Sequence, residues 1–155
     1  GGLSVRKEIL PAGKGSFSVN YALESAGDSG AGPTLTATFR SRLRFAVEVN
    51  LLLPCCDGPA CFYRFSPETA LSEDIGLGGF GELKGITGVS IVDSFSGVEV
   101  SIEVDSPLTL WRFPVYTVSL SEAGFEKNYQ GSCLVFLMPL ANTSSFGFDV
   151  KVKAS

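Results

Sequence analysis

The stretch "VEVSIEVD", Val98 to Asp105, decides the fold. Val98, Val100, Ile102 and Val104 alternate strictly with Glu99, Ser101, Glu103 and Asp105. A period of two puts every apolar side chain on one face of an extended chain and every polar one on the other, whereas a helix would scatter them. The apolar positions are β-branched, which suits a pleated, half-buried surface. One dry face and one wet face is the mark of an antiparallel sheet. Just upstream, "GVSIVDSF" reads as another strand, closed by a turn at Ser96-Gly97. Just downstream, "SPLTLWRFPVYTVSL" continues the pattern with Leu108, Leu110 and Phe113.

The same period recurs farther out. "SFSVNYALES" sets Phe17, Val19, Tyr21 and Leu23 on one face. "LSVRKEIL" near the start alternates too, and its charges fit an edge strand. "TLTATFRSRLRFAVEVNLLL" offers Leu35, Ala37 and Phe39, then Phe45, Val47, Val49 and Leu51, as two strands or one bent one. "SCLVFLMPL" and "FGFDVKVKA" close the chain as strands. "AGDSGAGP" is a loop, and residues 54–84 are irregular, with one helical turn expected at "SPETALSED", capped by Ser66 with Pro67 at its first position. No sustained helical periodicity appears. With 18 glycines and 12 phenylalanines in 155 residues, the pattern predicts an all-β antiparallel sandwich forming a single domain over residues 1–155, without long helices.

Composition removes several function classes. The net charge of −4 leaves no basic footprint for nucleic acid or an anionic membrane. The longest apolar run falls well short of a bilayer span, and no leader segment is legible. The chain opens at Gly1-Gly2 and its one methionine is Met138, so it is expected to be a piece of a larger protein. It has no histidine, which takes away the commonest general base, the histidine-activated nucleophiles and the commonest transition-metal ligand. Cys55, Cys56 and Cys61 in "PCCDGPACF", with Cys133, do not follow zinc spacings. They read as free, partly buried thiols of a cytoplasmic protein, or as a disulfide from Cys61 to Cys55 or Cys56. No metal and no cofactor is expected.

Three short motifs lose to plainer readings. "GLGGFG" matches a dinucleotide fingerprint through Gly76, Gly78 and Gly81, but no helix follows to hold a pyrophosphate, so a loop is expected. "NTS" at Asn142 to Ser144 reads as a turn. Glu122 and Glu126 would make an acid/base pair only on a helix, which Gly124 opposes. "FAVEVN" is more open. It places Glu48 and Asn50 opposite Val47, Val49 and Leu51, either as a solvated polar face or as the floor of a groove.

One stretch stands apart, "WRFPVYTVSLSEAGFEKNYQGS" from Trp111 to Ser132. Its Pro114, Val115, Thr117, Val118, Ser119, Ser121, Glu122, Gly124 and Phe125, followed by Gln130 and Gly131, resemble a segment in the C-terminal domain of glycoside hydrolase family 57 proteins, the 4-α-glucanotransferases and related α-amylases. Phe45, Val47, Glu48 and Asn50 are similar to a second strand of that domain. The likeness runs over about residues 40 to 140. It implies a β-sandwich of the supersandwich kind, similar to galactose mutarotase. It also implies that catalytic carboxylates belong to a separate (β/α)-barrel-like domain, which would be this chain's partner, with an α-glucan oligosaccharide as ligand. On this reading no residue here is catalytic. Trp111, Tyr116 and Tyr129 are candidates for stacking on sugar rings, each with core packing as the plainer reading, and Gln130, Glu48 and Asn50 are candidate polar contacts. Thr117, Ser119, Ser121 and Glu122 form a structural polar seam that satisfies local backbone groups. The alternative is a free-standing carbohydrate-binding or structural sandwich.

Overall fold

The computed structural model describes residues 3–25, 41–53, 58–68, 75–122, 124–141 and 144–154. Eight strands cover most of them: β1 (Leu3–Gly13), β2 (Ser16–Ser25), β3 (Arg44–Leu51), β4 (Cys61–Ser66), β5 (Gly81–Asp93), β6 (Val98–Ser121), β7 (Gly124–Pro139) and β8 (Ser145–Ala154). All ladders between them are antiparallel. The all-β expectation therefore holds. Among the described residues no helix is long and apolar enough to cross a membrane.

The two long strands β5 and β6 organise everything else. The first part of β6, Val98–Val104, pairs with β8 on one side and with the end of β5 on the other. Its later part pairs with β7 and with the start of β5. One layer thus runs β1-β2-β8-β6-β5-β4, with β1 at an edge as its charges predict. The second runs β3-β7-β6-β5. Register shifts in β5 at Lys84/Ile86 and Ile86/Gly88 mark where the strand passes between layers. Gly85 sits in the first with φ 73°, a left-handed conformation that glycine adopts without steric cost.

The inner faces follow from the ladders. Phe65, Val89, Ile102, Val150 and Phe17 form one cross-strand row in the first layer. Leu83, Leu110, Phe136 and Val47 form one in the second. The rows meet face to face. Phe136 of β7 stacks on Phe148 of β8 at 6.0 Å between ring centres, and Tyr21 of β2 meets Phe45 of β3 edge-on at 5.5 Å. Neither strand pair shares a ladder, so these contacts close a β-sandwich.

Among the described residues two charged side chains are built into this core. Arg112 is buried, its guanidinium over the rings of Tyr63 (5.0 Å) and Phe65 (5.7 Å), donating to the carbonyl of Gly76 at 3.2 Å. The sequence pattern places Phe113 inward with Leu108 and Leu110, but the ladder continues that inner face with Arg112 and turns Phe113 outward. Buried Asp93 accepts from the backbone N–H groups of Phe95 (3.0 Å) and Ser96 (3.1 Å) and from Ser96 Oγ. That fixes the expected turn at Ser96-Gly97. The Ser96 bonds hold the Asp93 carboxyl below the usual aspartate value.

Several expectations lie outside the described residues: the loop at 26–33, the strand at 34–39, Cys55, Cys56, most of "SPETALSED", and Asn142 and Thr143. Within the described part, Ser66 ends β4 rather than capping a helix. Gly76 forms a bridge with Phe62 and leads through a turn into β5, as a loop rather than a nucleotide fingerprint.

Candidate functional site

The outer face of the second layer carries a row of four residues: Glu48 of β3, Val135 of β7, Trp111 of β6 and Glu82 of β5. Facing residues in an antiparallel ladder share a side of the sheet, so these four lie on one surface. The next row adds Asn50, Cys133 and Phe113. The alternation seen in "FAVEVN" is what brings Glu48 and Asn50 out while Val47 turns into the core.

Trp111 is the centre of this face. Its residue is 44% exposed, and its indole N–H donates to Glu82 Oε2 at 2.8 Å. A hydrogen bond from the ring edge leaves the ring face available for contact. Glu82 also pairs with Lys84 at 3.3 Å. The Trp111 bond, and then the Lys84 interaction, hold its carboxyl below the ordinary glutamate value. On the far side, Asn50 Nδ2 donates to Glu48 Oε1 at 2.7 Å. Beneath it the Cys133 thiol is buried, and burial followed by the nearby Glu48 charge pushes its pKa up to about 11. The result is one fixed aromatic plate between two oriented carboxylates, with Phe113 and Val115 extending the apolar strip along β6.

Chemically this suits contact better than bond cleavage. The backbones of Glu48 and Glu82 sit three strand spacings apart, about 14 Å along the row. Paired carboxylates of glycoside hydrolysis stand roughly 5–10 Å apart.

The other candidates do not join this face. Between Val115 and Tyr116 the β6–β7 register shifts, and Gln130 is the extra residue of a bulge. Gly131 beside it has φ 152°, and a Cβ there would come within 2.8 Å of the Leu51 carbonyl oxygen. Past the bulge Tyr116 faces Tyr129, their rings edge-on at 6.1 Å. The Tyr129 hydroxyl lies 2.6 Å from Oγ of fully buried Ser132. Both tyrosines therefore belong to the core side of the sheet, and the three aromatics do not form one platform.

The seam residues lie in the hairpin beyond. Ser121 Oγ donates to the carbonyl of Gly124 at 3.2 Å and closes the turn. Asn128 Nδ2 donates to Ser119 Oγ at 3.5 Å, Thr117 is exposed beside them, and Glu122 is exposed in the turn itself. Glu126 faces Ser119 on the strand. Sequence reasoning did not single out Glu82 or Arg112, because each acquires its role through a partner on another strand.

Comparison with known proteins agrees with this architecture. Residues 2–152 match the family model described as the C-terminal region of alpha-amylase/4-alpha-glucanotransferase. Alpha-amylase 1 of Dictyoglomus thermophilum is 31% identical over 93 residues, which is 60% of this chain and 12% of that protein. The crystal structure of 4-alpha-glucanotransferase from Thermococcus litoralis superposes with a TM-score of 0.54 at 22% identity, over 99% of this chain and 18% of that one, which shows a shared fold. The chain thus spans less than a fifth of either relative's length. Its match over nearly the whole sequence places it in the alpha-amylase/4-alpha-glucanotransferase C-terminal family.

Proposed function

We propose that these 155 residues form a single accessory, non-catalytic domain of an α-glucan-acting enzyme, packed beside a (β/α)-barrel-like catalytic domain and contacting the glucan. The observation that carries this reading is the Trp111 plate, tied by its edge to Glu82, with the Glu48–Asn50 pair on the same open face. An aromatic face meets the C–H face of a pyranose ring, and oriented carboxylate and amide groups take its hydroxyls. The separation of Glu48 and Glu82 supports a contact role for this region, with the chemistry done elsewhere in the parent. The names of the relatives supply the substrate class, an α-glucan handled by an amylase or a 4-α-glucanotransferase. The buried thiol of Cys133 fits a cytoplasmic location.

The test compares the chain alone with the full-length polypeptide that carries it, each incubated with maltooligosaccharides and followed by chromatography. The full-length protein should redistribute or shorten the oligosaccharides and the chain alone should not. Turnover by the purified chain alone, or none by the full-length protein, contradicts the reading.

A further inference from the structure

Among the described residues the β6–β7 hairpin reaches beyond the ladders of its neighbours. The β3 ladder on β7 stops at Ser132, and the β5 ladder on β6 stops at Arg112. From Tyr116 to the turn at Ser121 and Gly124 the two strands form a ribbon about 20 Å long.

Its two faces differ in kind. Thr117, Asn128, Ser119 and Glu126 lie on one, as the Asn128–Ser119 bond confirms. Tyr116, Tyr129, Val118, Lys127, Leu120 and Phe125 lie on the other, as the Tyr116–Tyr129 contact and Lys127 Nζ over the Tyr116 ring (4.4 Å) confirm. The second face continues the core side of the sheet through Tyr129 and buried Ser132. Yet Val118, Leu120 and Phe125 at its outer end are 63%, 75% and 82% exposed. The bulge at Gln130 is what brings the β7 side chains into phase with those of β6, since a one-residue slip would turn them over. An in-phase apolar face on a projecting ribbon is a docking surface.

We infer that this face docks against the catalytic part of the same polypeptide, in an apolar groove that offers a carboxylate to Lys127. The inference rests on the accessory-domain reading above and adds the surface used. Two observations choose the occupant. First, in the two relatives the matching region is 12% and 18% of the chain, so each carries a far larger body of polypeptide for such a ribbon to meet. Second, the paired positions of the face hold Lys127 and no carboxylate, so laying it on a second copy would bring two ammonium groups together over the apolar strip without a counter-charge at those positions. Docking this way leaves the Trp111 face, on the other side of the sheet, open to glucan.

The test installs a photo-crosslinking phenylalanine analogue in place of Phe125 in the full-length polypeptide, with the same analogue in place of Phe95, an exposed turn residue between β5 and β6, as control. Irradiation should give an intrachain crosslink from position 125 to sequence outside these 155 residues, and none from position 95. Leu120→Ser should lower its yield several-fold. A crosslink between two copies of the ribbon, or no crosslink to the rest of the same chain, overturns the proposal. Oligosaccharide turnover measured on the same samples separates the two claims. Absent turnover defeats the glucan reading whatever the crosslink shows, and turnover without the crosslink defeats the docking surface alone.

Discussion

The indole N–H of Trp111 and Oε2 of Glu82 are 2.8 Å apart across the β5–β6 ladder, and this bond fixes the most prominent aromatic of the outer face. Glu82 titrates below the usual 4.5 because of it. A folded-state pKa lowered in this way means the bond's contribution is complete above 4.5 and is lost as pH falls through the folded value. Tryptophan anisotropy should therefore drop on acidification below that point. Glu82→Ala should show the lower anisotropy already at neutral pH, with a flat pH profile. Wild-type anisotropy in that variant would show that the ring is held by something else.

Arg112 tests the core. Its guanidinium lies over the rings of Tyr63 and Phe65, which β4 brings to the inner face of the second layer. Arg112→Ala removes that packing and opens a cavity, at a cost of about 2–4 kcal/mol. Arg112→Lys should recover little, because an ammonium lacks the planar stacking surface. Urea unfolding gives the number, and a loss under about 0.5 kcal/mol for the alanine variant would contradict the packing described.

Gly131 tests the bulge. Any Cβ there meets the Leu51 carbonyl at 2.8 Å, and the φ of 152° disfavours other residues. Gly131→Ala should destabilise the fold by about 1–3 kcal/mol. Amide exchange should rise first in β3 around Val49 and Leu51. Unchanged protection in β3 would refute the close approach.

Cys133 gives a chemical check on burial. With its pKa pushed up to about 11, almost no thiolate exists at pH 8, and the side chain is enclosed. A disulfide-exchange reagent should leave it unmodified in the folded protein and label it rapidly in urea. Labelling of the native protein at position 133 within seconds would contradict the structure.

Much of the fold was legible because alternation reports a half-buried strand directly. Residues 17–23 and 98–104 behave this way, and the charges of β1 marked an edge. The inner-face position of Arg112 was not legible, since its partners Tyr63 and Phe65 arrive from another layer. The candidate site was half legible. "FAVEVN" set Glu48 and Asn50 on an outward face, and the ladders put Trp111 beside them. The separation of Trp111 from Tyr116 and Tyr129 was hidden, because it depends on the faces set by strand pairing and the bulge at Gln130. The family resemblance in 111–132 identified the region without revealing that the segment is a projecting ribbon.

The most direct test of the glucan-contact claim is a titration of the chain with maltoheptaose, read through Trp111 fluorescence. An open plate with a few polar groups leaves a sugar largely hydrated, so a dissociation constant of about a millimolar or weaker is expected. Trp111→Ala followed by NMR should abolish shifts around Glu48, Asn50 and Val135, and Glu48→Ala should weaken the fluorescence response several-fold. A saturable, Glu48-dependent change in Trp111 emission is the predicted result. No change up to saturating oligosaccharide, or shifts confined to the opposite face of the sheet, would contradict the account.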